Sequence, residues 1–331
     1  MTAVATSAGR GRPAKTPTRS VRWRRLTWVA WRQHRATLMV FVILVGLTAI
    51  AIALTGFVLH PAGSRVYSAG PHSLWPIYDV TDTSLRLALP LMPMLAGLFL
   101  GAPLIAREIE TGTARFAWAQ GAGRTRWLIA TVVPAAALFA VIALGLGLEF
   151  RWWMTPLLPS DWAWRPDLFS LNPLPFIGWT LLGFSLAVFL GAAIRRTVPA
   201  MAAMLACYLP LMYLVATTWR RAYLPPLHRA AAQPTFTPGG GYGYATYWGN
   251  LRSPGPDILS TALGWPSGRL LTRSELRHSA AWFRLHHIQV WVTYQPGGRF
   301  LLFQYIEFGW LVALSAILIG MTVVLIRRRA A

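Results

Sequence analysis

The sequence predicts an all-α polytopic membrane protein with six transmembrane helices. Both termini are expected on the cytoplasmic side, with one large extracytoplasmic loop between spans five and six. Three observations carry this. Of the 331 residues, 55% are hydrophobic and only 12% charged, against roughly a quarter charged in an ordinary soluble domain. Six apolar stretches reach the roughly 20 residues a helix needs to cross the bilayer core. Arginines collect at alternate ends of those stretches, as membrane orientation requires. The composition excludes a disordered chain, and a mean hydropathy of +0.45 argues against a soluble enzyme. The net charge of +21 alone would also suit nucleic-acid binding, but the arginine distribution favours orientation in a membrane.

Residues 1–20 lack aromatics and are rich in Gly, Pro, Thr and Arg, which predicts a disordered basic cytoplasmic tail. Residues 21–36 interleave Trp23, Leu26, Trp28 and Trp31 with Arg22, Arg24, Arg25, Arg32 and Arg35. That pattern suits an amphipathic helix lying in the headgroup region. A nucleic-acid contact is the weaker reading, because an apolar span follows within a few residues. The six-span domain then fills residues 37–331, with spans at about 38–59, 87–106, 128–148, 174–194, 198–218 and 308–326. The first begins too far from the N-terminus for a signal peptide and is read as retained.

Orientation follows from the bases beside the spans. The N-terminal tail, the loop after span two (Arg107, Arg115, Arg124, Arg126), Arg195-Arg196 after span four and Arg327 to Arg329 at the C-terminus all fall on one side. The first two loops of the opposite side hold only Arg65, Arg151 and Arg165. Residues 219–304 carry nine arginines and break the pattern, but long loops translocate largely regardless of charge. Within that loop Gly239 to Tyr244 reads as irregular loop, and Thr272-Arg273-Ser274-Glu275 reads as a capping box opening a helix to about Leu285. Ile288 to Tyr294 alternates like a strand. In span two, Gly97 and Gly101 form a GxxxG flanked by Pro90, Pro93 and Pro103. It fits close helix packing or a hinge.

Sites of chemistry are scarce. The single Cys207 excludes a disulfide framework and a cysteine zinc site. Lys15 is the only lysine and follows Ala14 in the polar tail, so the chain has no Walker A loop. His278, His286 and His287 have neither metal-ligand spacing nor a completing carboxylate, so no metal site is expected. Asp161 and Asp167 could form an acid/base pair, but read more simply as solvated loop residues. Arg86, Glu149 and Glu307 fall near outer span ends, where charge can reach water. For Arg86 and Glu307 interfacial anchoring is the plain reading, and lining of an outer pathway mouth the sharper one. The spans hold no mid-depth charge and no repeated halves, which weighs against a proton-coupled carrier.

The loop at 107–127 is the informative stretch. It reads Arg107-Glu-Ile-Glu-Thr-Gly-Thr113, then an amphipathic run from Ala114 to Gln120. Glu108 and Glu110 are the only acidic residues expected on the cytoplasmic side. Such a segment fits a docking element or a solvated loop. The pattern Arg-Glu-x-Glu-x-Gly-Thr after the second span resembles permeases of the ABC-2 type. Trp28-Val-Ala-Trp31-Arg-Gln-His-Arg35, Arg299-Phe-Leu-Leu-Phe-Gln-Tyr-Ile-Glu307 and the short arginine tail look like the high-GC bacterial branch of that family. Leu301 departs from it, since a Trp usually stands there.

The resemblance implies the transmembrane permease subunit of an ATP-driven exporter in the plasma membrane. This chain would be no enzyme and would bind no cofactor; ATP and Mg would sit on a separate ATP-binding subunit. A second permease chain (a copy or a sibling) is implied, along with lipid and no nucleic acid. Carried over by motif, Arg107, Glu108, Glu110, Gly112, Thr113, Arg115, Phe116 and Trp118 would contact the ATPase subunit. A stand-alone membrane carrier, or a membrane-embedded enzyme using 219–304, is the alternative.

Overall fold

The computed structural model describes residues 23–67, 73–113, 123–157, 164–230, 235–236, 242–243, 257–277 and 280–329. The expected tail at 1–20 lies outside them. Six helices are long and apolar enough to cross a membrane: Arg35–Leu59, Trp75–Glu110, Arg124–Met154, Pro173–Ile194, Thr197–Ala222 and Gly297–Arg328. The expected number of spans holds, but their boundaries move. Span two starts at Trp75 rather than Leu87, and span three runs from Arg124 to Met154, wider than 128–148. The first helix is continuous from Trp23 to Leu59, so no break separates the basic aromatic segment from span one. At 1.5 Å per residue it is about 55 Å long, well beyond a bilayer core of about 30 Å.

Span four is the hub, packing against spans two, three, five and six. Its residues are apolar all round, as expected of a helix buried on every side. Phe184 on span four, Phe139 on span three and Phe41 on span one form a chain of ring contacts at 5.1 and 5.5 Å between centroids. Span one, by contrast, exposes Val40, Ile43, Leu47, Leu54 and Phe57, a surface suited to lipid or another apolar helix.

The GxxxG of span two sits where that span meets span four. A Cβ on Gly97 would stand 2.5 Å from the Gly183 carbonyl oxygen, and one on Gly183 would stand 2.9 Å from the Pro93 carbonyl oxygen. Backbone meets backbone there, so only glycine permits the approach. The same stretch is π-helical from Ala96 to Gly101, with the Ala102 N–H reaching back to the Gly97 carbonyl. Pro103 follows two residues on; it cannot donate and crowds the preceding turn, and prolines and π-bulges are each places where a helix kinks. Gly97→Ala is therefore expected to cost about 1–3 kcal/mol through overpacking. Gly145→Ala, whose Cβ would meet nothing within 4 Å, should leave the melting midpoint in detergent unchanged or slightly raised. Equal midpoints for both variants would refute this account of the span two–span four contact.

The fold is mostly helical rather than all-α. Between spans five and six lie strands β1 (Leu227–Ala230), β2 (Thr235–Phe236), β3 (Tyr242–Gly243), β4 (Asp257–Gly264) and β5 (Gln289–Gln295). β1, β5 and β4 form an antiparallel sheet in that order, and β2 pairs with β3. The expected strand at 288–294 is thus the central strand, and the strand Tyr242–Gly243 lies inside the stretch read as loop. The capping box forms: the Thr272 N–H donates to Glu275 Oε2 at 2.7 Å and the Glu275 N–H to Thr272 Oγ1 at 3.4 Å. The Thr272 N–H, then Arg269, hold the Glu275 carboxyl down at about 2. The box opens a single 3₁₀ turn, Glu275–Arg277, and the helix proper is the shorter Ala280–Leu285. The sheet is rooted on the bundle by Gln295 Nε2 donating to the Leu224 carbonyl (2.7 Å) and Arg299 donating to the Pro225 carbonyl (2.8 Å).

Candidate functional site: two polar ends of the bundle

At one end of the bundle the helix of span two closes on the predicted motif, where Glu108, Glu110, Gly112 and Thr113 each have a structural task. Gly112 adopts φ +77, the left-handed conformation that ends helices and that glycine takes without penalty. A Cβ there would meet nothing within 4 Å, so conformation rather than space requires glycine. Glu108 fastens the exit by accepting from Thr113 Oγ1 at 2.6 Å, and the Thr111 hydroxyl donates back to the Arg107 carbonyl at 2.8 Å. Arg107 is exposed. Arg115, Phe116 and Trp118 lie outside the described residues.

Glu110 reaches across the bundle. Its Oε2 accepts from the Thr197 N–H at 3.1 Å and from Thr197 Oγ1 at 2.9 Å. Thr197 is the first helical residue of span five, whose leading N–H groups have no partner inside the helix. A carboxylate there satisfies a donor and complements the positive end of the helix dipole. The link between spans four and five is only Arg195-Arg196, with Arg195 at φ 60. Glu110 therefore ties the end of span two to a tight helical corner. Its Oε2 is held within the chain, while the residue stays exposed. Arg327 Nε donates to Thr125 Oγ1 at 2.8 Å, which brings the ends of spans three and six to the same side.

At the opposite end, Arg86 and Glu307 belong to one continuous polar network. Arg86 pairs with Asp82 one helical turn earlier at 2.7 Å and with Asp167 at 2.8 Å. Asp167 lies on the short helix Pro166–Phe169, and the Pro166 carbonyl accepts from Arg220 Nη1 at 3.3 Å. Arg220 grips both oxygens of Glu307, Nε to Oε2 at 2.8 Å and Nη2 to Oε1 at 2.9 Å. Trp179 Nε1 donates to Oε1 at 2.9 Å, and the Tyr223 hydroxyl to Oε2 at 3.3 Å. Trp310 Nε1 completes the set by donating to the Tyr223 hydroxyl at 3.0 Å.

Glu307 is wholly buried and Arg220 nearly so (0% and 5% side-chain exposure). That corrects the expectation that Glu307 reaches water. Span five explains how an arginine comes to face inward. It is π-helical from Val215 to Trp219, with the Arg220 N–H returning to the Val215 carbonyl. The extra residue re-phases the helix, so that Arg220 is buried while Trp219 and Arg221 are exposed. Sequence reading missed Arg220, Asp82 and Trp179, and took Asp167 for a solvated loop residue or an acid/base partner of Asp161, where it pairs with Arg86. The usable signals were Arg220-Arg221 closing one apolar run just as Glu307 opens the next, and the i,i+4 spacing of Asp82 and Arg86.

His286 and His287 take part in neither end. The His286 ring stacks on Trp282 at 4.1 Å, and His287 sits at φ 50. His278 and Asp161 lie outside the described residues. Among the described residues no group of three or more His, Cys, Asp or Glu is placed to hold a metal.

A bundle whose second span ends in this motif invites comparison with known families. The family described as ABC-2 membrane transporter related matches residues 38–220, more than half of the chain. The chain belongs to that family. It is a multi-pass integral membrane protein with the membrane domain of an ABC-2 transporter permease. No curated protein and no solved structure matches the chain. The match runs through the first five spans and ends on Arg220, so Glu307 and the sheet lie beyond it. The ABC-2 region thus contains the whole Arg107–Thr113 motif and its anchor at Thr197.

Proposed function

We propose that this chain is the transmembrane permease subunit of an ATP-driven exporter that moves a substrate across the plasma membrane. A separate ATP-binding subunit supplies ATP and Mg; this chain binds no cofactor and catalyses no reaction. Two permease chains, identical or siblings, form the pathway within the lipid. Both termini and the 107–127 segment face the cytoplasm, and residues 219–304 face the other side. The resemblance to the high-GC branch of the family belongs to the same reading, which gives nucleic acid no part.

One observation carries it. The Arg107–Thr113 motif forms a shaped helix exit fastened to the start of span five through Glu110 and Thr197. A subunit pressing on that exit would move two spans together. The lone Lys15 supports the division of labour, since phosphate binding by a P-loop needs a Gly-Lys-Ser/Thr this chain lacks.

Co-purification tests the proposal. The tagged full chain, gently solubilised from its native membrane, is expected to bring down a stoichiometric ATPase subunit. Arg107→Glu with Arg115→Glu reverses charge on the segment without touching the Glu108 or Glu110 hydrogen bonds. Recovery of the ATPase should fall roughly fivefold or more, as for like charges brought together at an interface. A folded chain that purifies without any ATPase would favour the stand-alone carrier or membrane enzyme.

A further inference from the structure

We propose that the cleft beside Arg220 and Arg221 binds the phosphate group of an anionic phospholipid, with Arg221 as its recognising cation. The cleft has a volume of about 200 Å³, below the range of about 300–1,000 Å³ that takes a whole drug-sized ligand. It fits a headgroup. Its lining includes the cations Arg165, Arg220 and Arg221 and the aromatic residues Trp164 and Phe303.

The charges around it decide the sign of the ligand. Arg86, Arg165 and Arg220 are balanced within the network by Asp82, Asp167 and Glu307. Arg221 stands outside that balance: it is exposed and forms no ion pair with the described residues. Arg220 adds a donor. Of the five N–H groups of a guanidinium, the described residues Glu307, Ser170 and Pro166 take four, and among the described residues the fifth, on Nη1, has no acceptor. One uncompensated cation, one spare guanidinium N–H and an aromatic wall match a singly anionic phosphate with an apolar group attached.

Position argues for a lipid over a soluble anion. The cleft sits where span five ends, at Ala222, beside the exposed Trp219, and tryptophan favours the level of the headgroups. The site goes beyond the transport reading and does not rest on it, because binding is measured without ATP or a partner.

The full chain in uncharged detergent is titrated with short-chain phosphatidylglycerol, with phosphatidylcholine of equal chain length and with glycerol phosphate. Bound ligand is counted by native mass spectrometry. Phosphatidylglycerol is expected to bind one per chain and more tightly than the other two. Arg221→Gln should weaken it about tenfold, the worth of one charge-assisted hydrogen bond, and Arg221→Lys should keep most of it. Arg221 is exposed and outside the ion-pair network, so Arg221→Gln should melt like the native chain. Equal phosphatidylglycerol affinity in Arg221→Gln and the native chain would overturn the site. Glycerol phosphate binding as tightly as phosphatidylglycerol would overturn the lipid assignment.

Discussion

Glu307→Ala is expected to cost this chain about 3–5 kcal/mol, the range for removing one partner of a buried ion pair. The loss exceeds one salt bridge because Glu307 is the acceptor on which three side chains converge. Without it the Arg220 guanidinium stays buried with no counter-charge, and Trp179 Nε1 and the Tyr223 hydroxyl lose their acceptor. Buried unpaired charge is the costliest of these. Arg220→Ala should cost about as much for the mirror reason, since it strands the carboxylate. Arg220→Met with Glu307→Leu together should recover the part due to stranded charge, because apolar groups of similar volume often replace a buried pair without penalty, while Trp179 Nε1 and the Tyr223 hydroxyl still lack Glu307. Arg86→Gln acts on a partly exposed pair and should cost nearer to about 1 kcal/mol. Melting midpoints of the purified variants separate these cases: a fall of roughly 10 °C for either buried single variant, and a clearly smaller fall for the pair. A Glu307→Ala chain that melts within two degrees or so of the native one would show that the network does not hold this end of the bundle.

The network also marks where sequence reading stops. Spans appear as apolar runs because the bilayer imposes length and composition locally. Their ends do not, because a helix continues through charged residues whenever those charges find partners. Span two starts at Trp75, since Asp82 pairs with Arg86 one turn on and Asp167 reaches Arg86 from another helix. A hydropathy pattern cuts the helix at those charges and discards the pairing. The strand at 289–295 was visible because it alternates on its own. β1 and β4 are defined largely by register against it, such as Ala230 and Ala262 both opposite Trp291, which no local pattern encodes. The π-turn at Val215–Trp219, which turns Arg220 inward, likewise left no mark in composition. The Arg107–Thr113 motif was legible as a motif and Gly112 as its turn. What Glu110 holds was not, because Thr197 stands 87 residues away.

That distant contact sets the largest expected effect on transport. If the 107–127 segment receives force from an ATPase subunit, Glu110→Ala should leave the subunit bound and ATP hydrolysed while transport per ATP falls about tenfold. That is within the 1–3 kcal/mol typical of coupling between sites. Stability should change little, because the carboxylate is exposed and its loss strands no buried charge. Thr197→Val removes the hydroxyl but keeps the backbone N–H, so it should give a smaller loss in the same direction. Glu110→Gln keeps an acceptor oxygen and should be the mildest of the three. In the double variant Glu110→Ala with Thr197→Val, the second change should add nothing, since the contact is already gone. The reconstituted complex, assayed for hydrolysis and flux together, reads all four. Parallel losses of hydrolysis and flux would make Glu110 part of the ATPase contact, as the motif alone suggests. Loss of flux with hydrolysis intact would make it the tie through which span two moves span five. Unchanged flux would show that the two spans move together through their apolar contact alone.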